Sequence, residues 1–201
     1  MPLPGSRRAA ASRDRRDRRD RRYRCDDCVD APPWFDATLT LADYRAPLDI
    51  LARDLKFHAR FAFGDEFASR LARAVVDACE PGDLPDVVAP VPLSRGRQIE
   101  RGYNQAWQIA RPLARALDVS ADATLLRRLA HTSPQSRLDR EGRRRNVARA
   151  FVVTKPVRGL HVAIVDDVMT SGATLDALAR TLKTAGARRV TNLVALRTPN
   201  T

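Results

Sequence analysis

The stretch that most limits what this chain can become is GLHVAIVDDVMTSGATLDALARTLKTAGA, from Gly159 to Ala187. A continuous apolar block runs from His161 through Val165, Asp166 and Asp167 close it, and a small, polar run from Met169 to Ala173 precedes a helical pattern beginning at Thr174. The spacing predicts a strand, a loop and a helix. In a parallel sheet the ligand crevice lies outside the carboxyl ends of the strands, so two carboxylates at the end of a strand stand where something is held. Thr170, Ser171 and Thr174 offer hydroxyls, Gly172 lets the backbone come close, and the N–H groups that open the helix favour an anionic oxygen, above all a phosphate. Carboxylates are acceptors, suited to sugar hydroxyls or a hydrated magnesium ion and poorly suited to a bare phosphate. One end of the pocket therefore takes a phosphate, and the other a diol or a metal. The plainer alternative is that the acids simply end a buried strand and that Thr170 or Ser171 caps the next helix. That reading leaves two adjacent acids at the exit of an apolar strand without a reason. A nucleotide-binding P-loop does not fit, because Ala173 stands where that motif needs lysine.

Two arginine-rich stretches belong to the same argument. LPDVVAPVPL, Leu84 to Leu93, predicts the first core strand, with Pro90 and Pro92 turning the chain away from further pairing. A loop from Ser94 to Gly102 follows, carrying Arg95, Arg97 and Arg101, and then a helix from about Asn104 to Leu117 that Pro112 should bend. Forked guanidinium groups just past a strand's carboxyl end suit a diphosphate, although a solvated basic loop remains the alternative. Residues 122–150 read as a strand, a long polar loop and another strand. From His131 to Asn146 that loop holds five arginines against Asp139 and Glu141, and a connection this long marks either a functional lid or disorder, with an amphipathic solvent-facing helix as the purely structural alternative. VTNLVALRT, Val190 to Thr198, supplies the last parallel strand, and Gly186 ends the helix before it.

VAIVDDVMTSGATL resembles the diphosphate-sugar signature of type I phosphoribosyltransferases. PVPLSRGRQIERGYNQA and LRRLAHTSPQSRLDREGRRRNVARAF resemble one branch of that superfamily, the competence protein F (ComF-like) family, over roughly Cys25 to Arg197. The resemblance implies an α/β fold with a mostly parallel sheet of four or five strands, a flexible hood, a helical amino-terminal part and a basic disordered tail. It implies that Asp166 and Asp167 take the ribose hydroxyls of 5-phosphoribosyl 1-diphosphate and that Met169, Thr170, Ser171, Gly172, Ala173 and Thr174 hold its 5-phosphate. By the same resemblance Arg97 would lie in the loop that holds the leaving pyrophosphate, and Arg101, Gly102, Asn104 and Gln105, which match the family's RG(F/Y)NQ, would bind the ligand with it. Gln135 and Arg143 would be lid contacts, in a spacing shared with Thr132, Leu138 and Asn146. Magnesium would bridge diphosphate and ribose while a base displaces pyrophosphate, with Asp166, Asp167 and Arg101 as the catalytic set. Purine-salvage relatives use an acidic loop residue toward the base; Thr170 stands at that position here. Two other functions stay open: a non-catalytic phosphoribosyl-diphosphate or nucleotide sensor serving DNA uptake, and a basic nucleic-acid-binding protein.

The remaining segments bear on partners and compartment. A chain of 201 residues suits one domain, placed at 39–201 after a cysteine-bearing segment at 25–38 and a tail at 1–24. That tail holds ten arginines against three aspartates, +7 of the net +12, and has almost nothing to bury. It can bind a nucleic-acid backbone in a salt-dependent way, keep the protein soluble, or mark an over-extended start. CDDC, Cys25 to Cys28, resembles the second of two CxxC pairs that form a zinc ribbon in the family; arginines occupy the place of the first, so one chain should hold zinc poorly. Cys79 reads as an apolar cysteine. From residue 39 a surface turn should lead into two helices, with Leu48, Leu51 and Leu55 on one stripe and Phe67, Leu71 and Val75 on the other. Gly64 should separate them, Asp65 should cap the second, and Lys56 is a candidate for the pocket rim. No run of eighteen apolar residues and no apolar segment after the basic start are present, so the expectation is a cytoplasmic protein without a membrane span. Homodimerisation stays an open option.

Overall fold

The computed structural model describes residues 26–57, 62–80, 82–129 and 150–198. The arginine tail, Cys25, His58 and the expected lid with Gln135 and Arg143 lie outside the described residues. The chain divides into two compact units, Met1–Pro32 and Pro33–Thr201. Among the described residues of the first lies a short helix, α1 (Asp26–Asp30), which carries Cys28.

The second unit is built on a sheet of β1 (Ala37–Asp43), β2 (Val87–Pro90), β3 (Ser120–Ala121), β6 (His161–Met169) and β7 (Arg189–Arg197). A separate antiparallel pair joins β4 (Leu126–Arg128) to β5 (Phe151–Val153), at the two ends of the expected lid. The five strands lie in the order β1-β7-β6-β2-β3, and every pairing among them is parallel. Alternate residues face opposite layers, and both layers are apolar, which is why these strands read as continuous hydrophobic runs. Val88, Ala163, Val165 and Leu193 pack with α2 (Leu48–Phe57), α3 (Ala62–Ala78) and α5 (Gln105–Leu117). Val87, Ala89, Val162, Ile164 and Val194 pack with α6 (Ala173–Thr184) and with Leu126 and Phe151 of the small sheet. Among the described residues no helix is long and apolar enough to cross a membrane.

This order creates a switch point. From β2 the chain passes through α5 to β3 on one side, whereas from β6 it passes through α6 to β7 on the other, and the two helices cover opposite faces. Adjacent strands whose connections part in this way leave a crevice at their carboxyl ends. The expected parallel sheet of four or five strands is therefore present, and its crevice lies between β2 and β6.

Two expectations are corrected. The surface turn at residue 39 is instead part of β1, an edge strand in register with β7 from Ala37↔Thr191 to Asp43↔Arg197. Asp36 fixes its start by accepting from the Val190 N–H at 2.7 Å and from Lys183 Nζ at 2.7 Å. Gly64 does not separate two helices but lies buried inside α3, so Asp65 falls in the first turn rather than at the cap. A methyl group on Gly64 would stand 2.9 Å from the carbonyl oxygen of Gln108 on α5. That carbonyl is the one whose helical donor Pro112 removes, so α3 approaches α5 where the hydrogen-bond ladder is interrupted.

At the opposite end of the sheet from the crevice, His161 opens β6 and is fully buried. Its Nε2 lies 2.8 Å from Thr191 Oγ1, its backbone N–H donates to Asp86 Oδ2 at 2.6 Å, and Arg189 pairs with Asp83 nearby. Burial, followed by the Arg189 charge, holds the imidazole below its ordinary value of 6.5, against the opposing pull of Asp83. A lowered folded-state pKa means that the unfolded chain takes the proton first, so stability is lost as pH falls below about 6.5 toward the folded value. Melting temperature should drop between pH 7 and pH 5, and His161→Gln should flatten that slope; an unchanged slope would show that His161 does not carry it.

Candidate functional site

β6 runs further than its apolar block. It continues through both acids to Met169, so Asp166 and Asp167 lie within the strand rather than beyond it. The two acids differ in exposure: Asp166 is half-buried and Asp167 is 3% exposed. The Asp167 N–H donates to Asp166 Oδ1 at 2.9 Å, which holds the first carboxylate against its own backbone. Val165 and Val168 pack on the α5 side, while Met169 joins the α6 side. The two-residue alternation is therefore broken across the acid pair.

The loop that follows is short. Thr170 and Ser171 are exposed, and Gly172 adopts φ 74°, a left-handed conformation that glycine enters without a Cβ penalty. Gly172 is the N-cap of α6, which begins at Ala173, and no side chain caps the helix. The capping alternative for Thr170 or Ser171 is thereby corrected. The first N–H groups of a 12-residue helix are thus left without a side-chain cap three residues past the end of β6. Met169 is buried and tied to β7, its carbonyl accepting from the Thr198 N–H at 2.8 Å. Ala173 is exposed and Thr174 half-buried, so Met169 and Ala173 can offer backbone alone.

The expected arginine loop from Ser94 to Gly102 is a helix, α4 (Arg95–Arg101). Ser94 caps it by accepting from the Arg97 N–H at 3.4 Å, good helix formers fill its middle, and Gly102 ends it at φ 73°. Arg97 is exposed on this helix. Arg101 is half-buried, with Nε and one terminal nitrogen shielded from solvent. Asn104 is the N-cap of α5: its Oδ1 accepts from the Ala106 N–H at 2.9 Å and its Nδ2 donates to the Val91 carbonyl at 3.0 Å. Val91 in turn donates its N–H to the Val165 carbonyl at 2.9 Å, immediately before Asp166. The head of α5 and the strand just before the acid pair are thus joined through two bonds, and Gln105, 5% exposed, follows Asn104 in the first turn.

The sequence did not signal one further connection. The Trp34 N–H donates to Asp176 Oδ1 at 2.7 Å, in the first turn of α6, and the Arg180 guanidinium lies 5.6 Å from the Trp34 ring centre. This ties the segment before β1 to the helix that Gly172 opens. An acid three residues into a helix usually serves its own N-terminus; here Asp176 is turned toward a chain segment 142 residues away.

The phosphoribosyl transferase domain family matches residues 104–201, which takes in α5, the acid pair, the loop and β7. Over 83% of its length the chain is 36% identical to DNA utilization protein YhgH of Salmonella typhimurium, covering 74% of that protein. It is also 36% identical to competence protein F of Haemophilus influenzae, over 83% of this chain and 75% of that one. A solved structure described as the allosteric regulatory enzyme of purine biosynthesis superposes at TM-score 0.46 with 17% identity, covering 71% of this chain and 30% of that one. A parallel sheet with its switch point beside an acid pair, leading into an uncapped helix, makes this a phosphoribosyltransferase-type domain. The chain belongs to the competence protein F family.

Proposed function

We propose that this protein binds 5-phosphoribosyl 1-diphosphate in the crevice between β2 and β6 and transfers the phosphoribosyl group to a base. The observation that carries the reading is Gly172, in a left-handed conformation at the head of a helix that no side chain caps, six residues after Asp166. The 5-phosphate would sit on the N–H groups and hydroxyls of residues 170–174. Asp166 would accept from a ribose hydroxyl, with Asp167 beneath it, and Arg97 and Arg101 would donate to the diphosphate.

Magnesium suits the donor set. Among the described residues no three histidines, cysteines or acids cluster as a metal cage. A magnesium ion needs only one or two carboxylates when substrate oxygens and water complete its octahedron, and the acid pair provides those. Bound there with the substrate, it would neutralise charge on the diphosphate. In the transfer itself the bond from carbon 1 to the diphosphate oxygen breaks, the acceptor's lone pair forms the new bond, and pyrophosphate leaves with the electron pair. Arg101, shielded from solvent on two nitrogens, would stabilise the charge growing on that leaving group.

The names of the relatives, DNA utilization and competence, favour a second use of the same site: binding without transfer, as a sensor in DNA uptake. Calorimetry with 5-phosphoribosyl 1-diphosphate, with and without magnesium, tests the binding, and pyrophosphate release with candidate bases separates enzyme from sensor. Arg101→Ala should weaken the diphosphate by about tenfold or more while leaving ribose 5-phosphate nearly unaffected, since the latter lacks the group the guanidinium faces. Wild-type protein that binds neither compound better than sulfate would end the phosphoribosyl reading.

A further inference from the structure

α6 is held from outside along one stripe. Asp176, Arg180 and Lys183 stand at i, i+4 and i+7 on it, and each meets the segment that leads into β1. Asp176 Oδ1 accepts from the Trp34 N–H at 2.7 Å, the Arg180 guanidinium lies 5.6 Å from the Trp34 ring centre, and Lys183 Nζ stands 2.7 Å from Asp36 Oδ2. Asp36 is itself tied to β7 through the Val190 N–H, so the segment rests on the sheet at one end and grips the helix over successive turns.

The first of these contacts reaches the turn at Gly172. The Asp176 N–H donates to the Gly172 carbonyl at 2.9 Å, closing the first turn of the helix, while the Asp176 carboxylate takes the Trp34 N–H. Two bonds therefore join Trp34 to the residue at φ 74° on which the helix opens. On its inner side α6 buries Leu175, Leu178 and Leu182, and such burial is non-directional: it holds the helix against the sheet without fixing where its end stands along the axis. Directional bonds at the first turn do that. The residue that makes them is an odd choice for an anion site. A carboxylate in the first turn shares the positive end of the helix dipole with any anion bound there, and repels it.

We infer that Asp176 is a positioning residue: through the Trp34 N–H it fixes the head of α6 so that the N–H groups of the turn stand where a 5-phosphate needs them, and the gain in alignment outweighs the repulsion that its charge adds. The inference rests on the phosphoribosyl reading of the crevice. It adds to that reading a backbone donor, Trp34, that lies 142 residues from its partner and outside every stretch read as touching the ligand.

The test reads the affinity of the full chain for ribose 5-phosphate, which brings the phosphate, and for magnesium pyrophosphate, which on this reading does not use the turn. Asp176→Ala removes charge and acceptor together and should weaken ribose 5-phosphate by about tenfold, while magnesium pyrophosphate binds as before. Asp176→Asn removes the charge and keeps an oxygen for Trp34, so its affinity should stay within about threefold of wild type. Repulsion alone predicts the opposite sign, about twofold to fivefold tighter binding in both variants, and that result overturns the inference. So does an equal loss for the two probes, which marks general damage to the fold. Trp34 approaches the same bond from the other side. Trp34→Pro deletes the N–H and should match Asp176→Ala, whereas Trp34→Ala deletes only the ring and should bind like wild type; equal behaviour of these two sinks the role of the N–H. If neither Asp176→Ala nor Trp34→Pro folds, the bond is a condition of folding and the inference fails as well. Wild-type protein that binds neither probe removes the phosphoribosyl reading itself, whereas wild-type binding with every variant unaffected removes only the role of Asp176.

Discussion

Gly172→Val should reduce affinity for both 5-phosphoribosyl 1-diphosphate and ribose 5-phosphate by about a hundredfold, the largest effect on binding expected of any single change in the loop. Three consequences act together. At φ 74° a side chain with a Cβ is strained, and a β-branched one more so. A Cβ there would also stand 2.6 Å from Met169 Cε, the far end of a flexible side chain that can swing aside, so the lasting strain is the backbone's own. Relief has to come from the backbone, and the backbone N–H groups are what the phosphate would use. Hydrogen bonds to a charged group are worth about 1.5–3 kcal/mol each, so misplacing two of them accounts for the hundredfold. Asp166→Asn, which changes charge and keeps shape, should cost only about tenfold. Titration of both ligands into folded Gly172→Val protein checks the ranking, and near wild-type affinity would mean that the phosphate does not rest on this turn.

Gly64→Val should give the largest loss of stability, about 3 kcal/mol, with a fall of roughly 6–12 °C in melting temperature. The first added carbon meets the Gln108 carbonyl oxygen at 2.9 Å and the carbonyl carbon at 3.3 Å, and neither can rotate away as a side chain would. Gly96 offers the contrasting case. It lies within α4 with nothing inside 4 Å of an added Cβ, so Gly96→Ala should be neutral or stabilising by up to about 1 kcal/mol. Thermal melts of the two variants side by side separate backbone collision from helix propensity. If Gly64→Val melted with wild type, α3 and α5 would not be held as closely as they stand.

These two glycines show where the sequence speaks and where it stays silent. Gly172 was legible because everything that defines it is local: an apolar run, two acids, then small residues before a helical period. The same locality made α5, β7 and the buried stripe of Phe67, Leu71 and Val75 legible. Gly64 was misread as a separator because its reason is a carbonyl on another helix, freed by a proline 48 residues away. The helix from Arg95 to Arg101 was taken for a loop because two glycines and three arginines suggest flexibility; the Ser94 cap and the left-handed Gly102 define its ends instead. Thr38-Leu39-Thr40-Leu41 does alternate as a strand should, and Leu39 and Leu41 do pack inward. Only a strand from the far end of the chain gives that alternation its use. The acids were placed correctly at the carboxyl end of β6, yet their unequal burial follows from packing on both faces, which a linear pattern does not carry.

The edge strand has a consequence for how the protein is made. β7, the strand that β1 pairs with, leaves the ribosome long after it; the Val190 N–H that closes on Asp36 lies 154 residues downstream. Until β7 has been made, a segment of alternating threonine and leucine has no ladder to join. Long-range pairing of this kind is slow to form and exposes strand surface meanwhile. During synthesis β6 can therefore pair with β2 before β1 has a partner, and β1 waits for β7. Chains that stop short of residue 189 should be captured by chaperones or proteases even though their acid pair, the turn at Gly172 and both glycines are already in place.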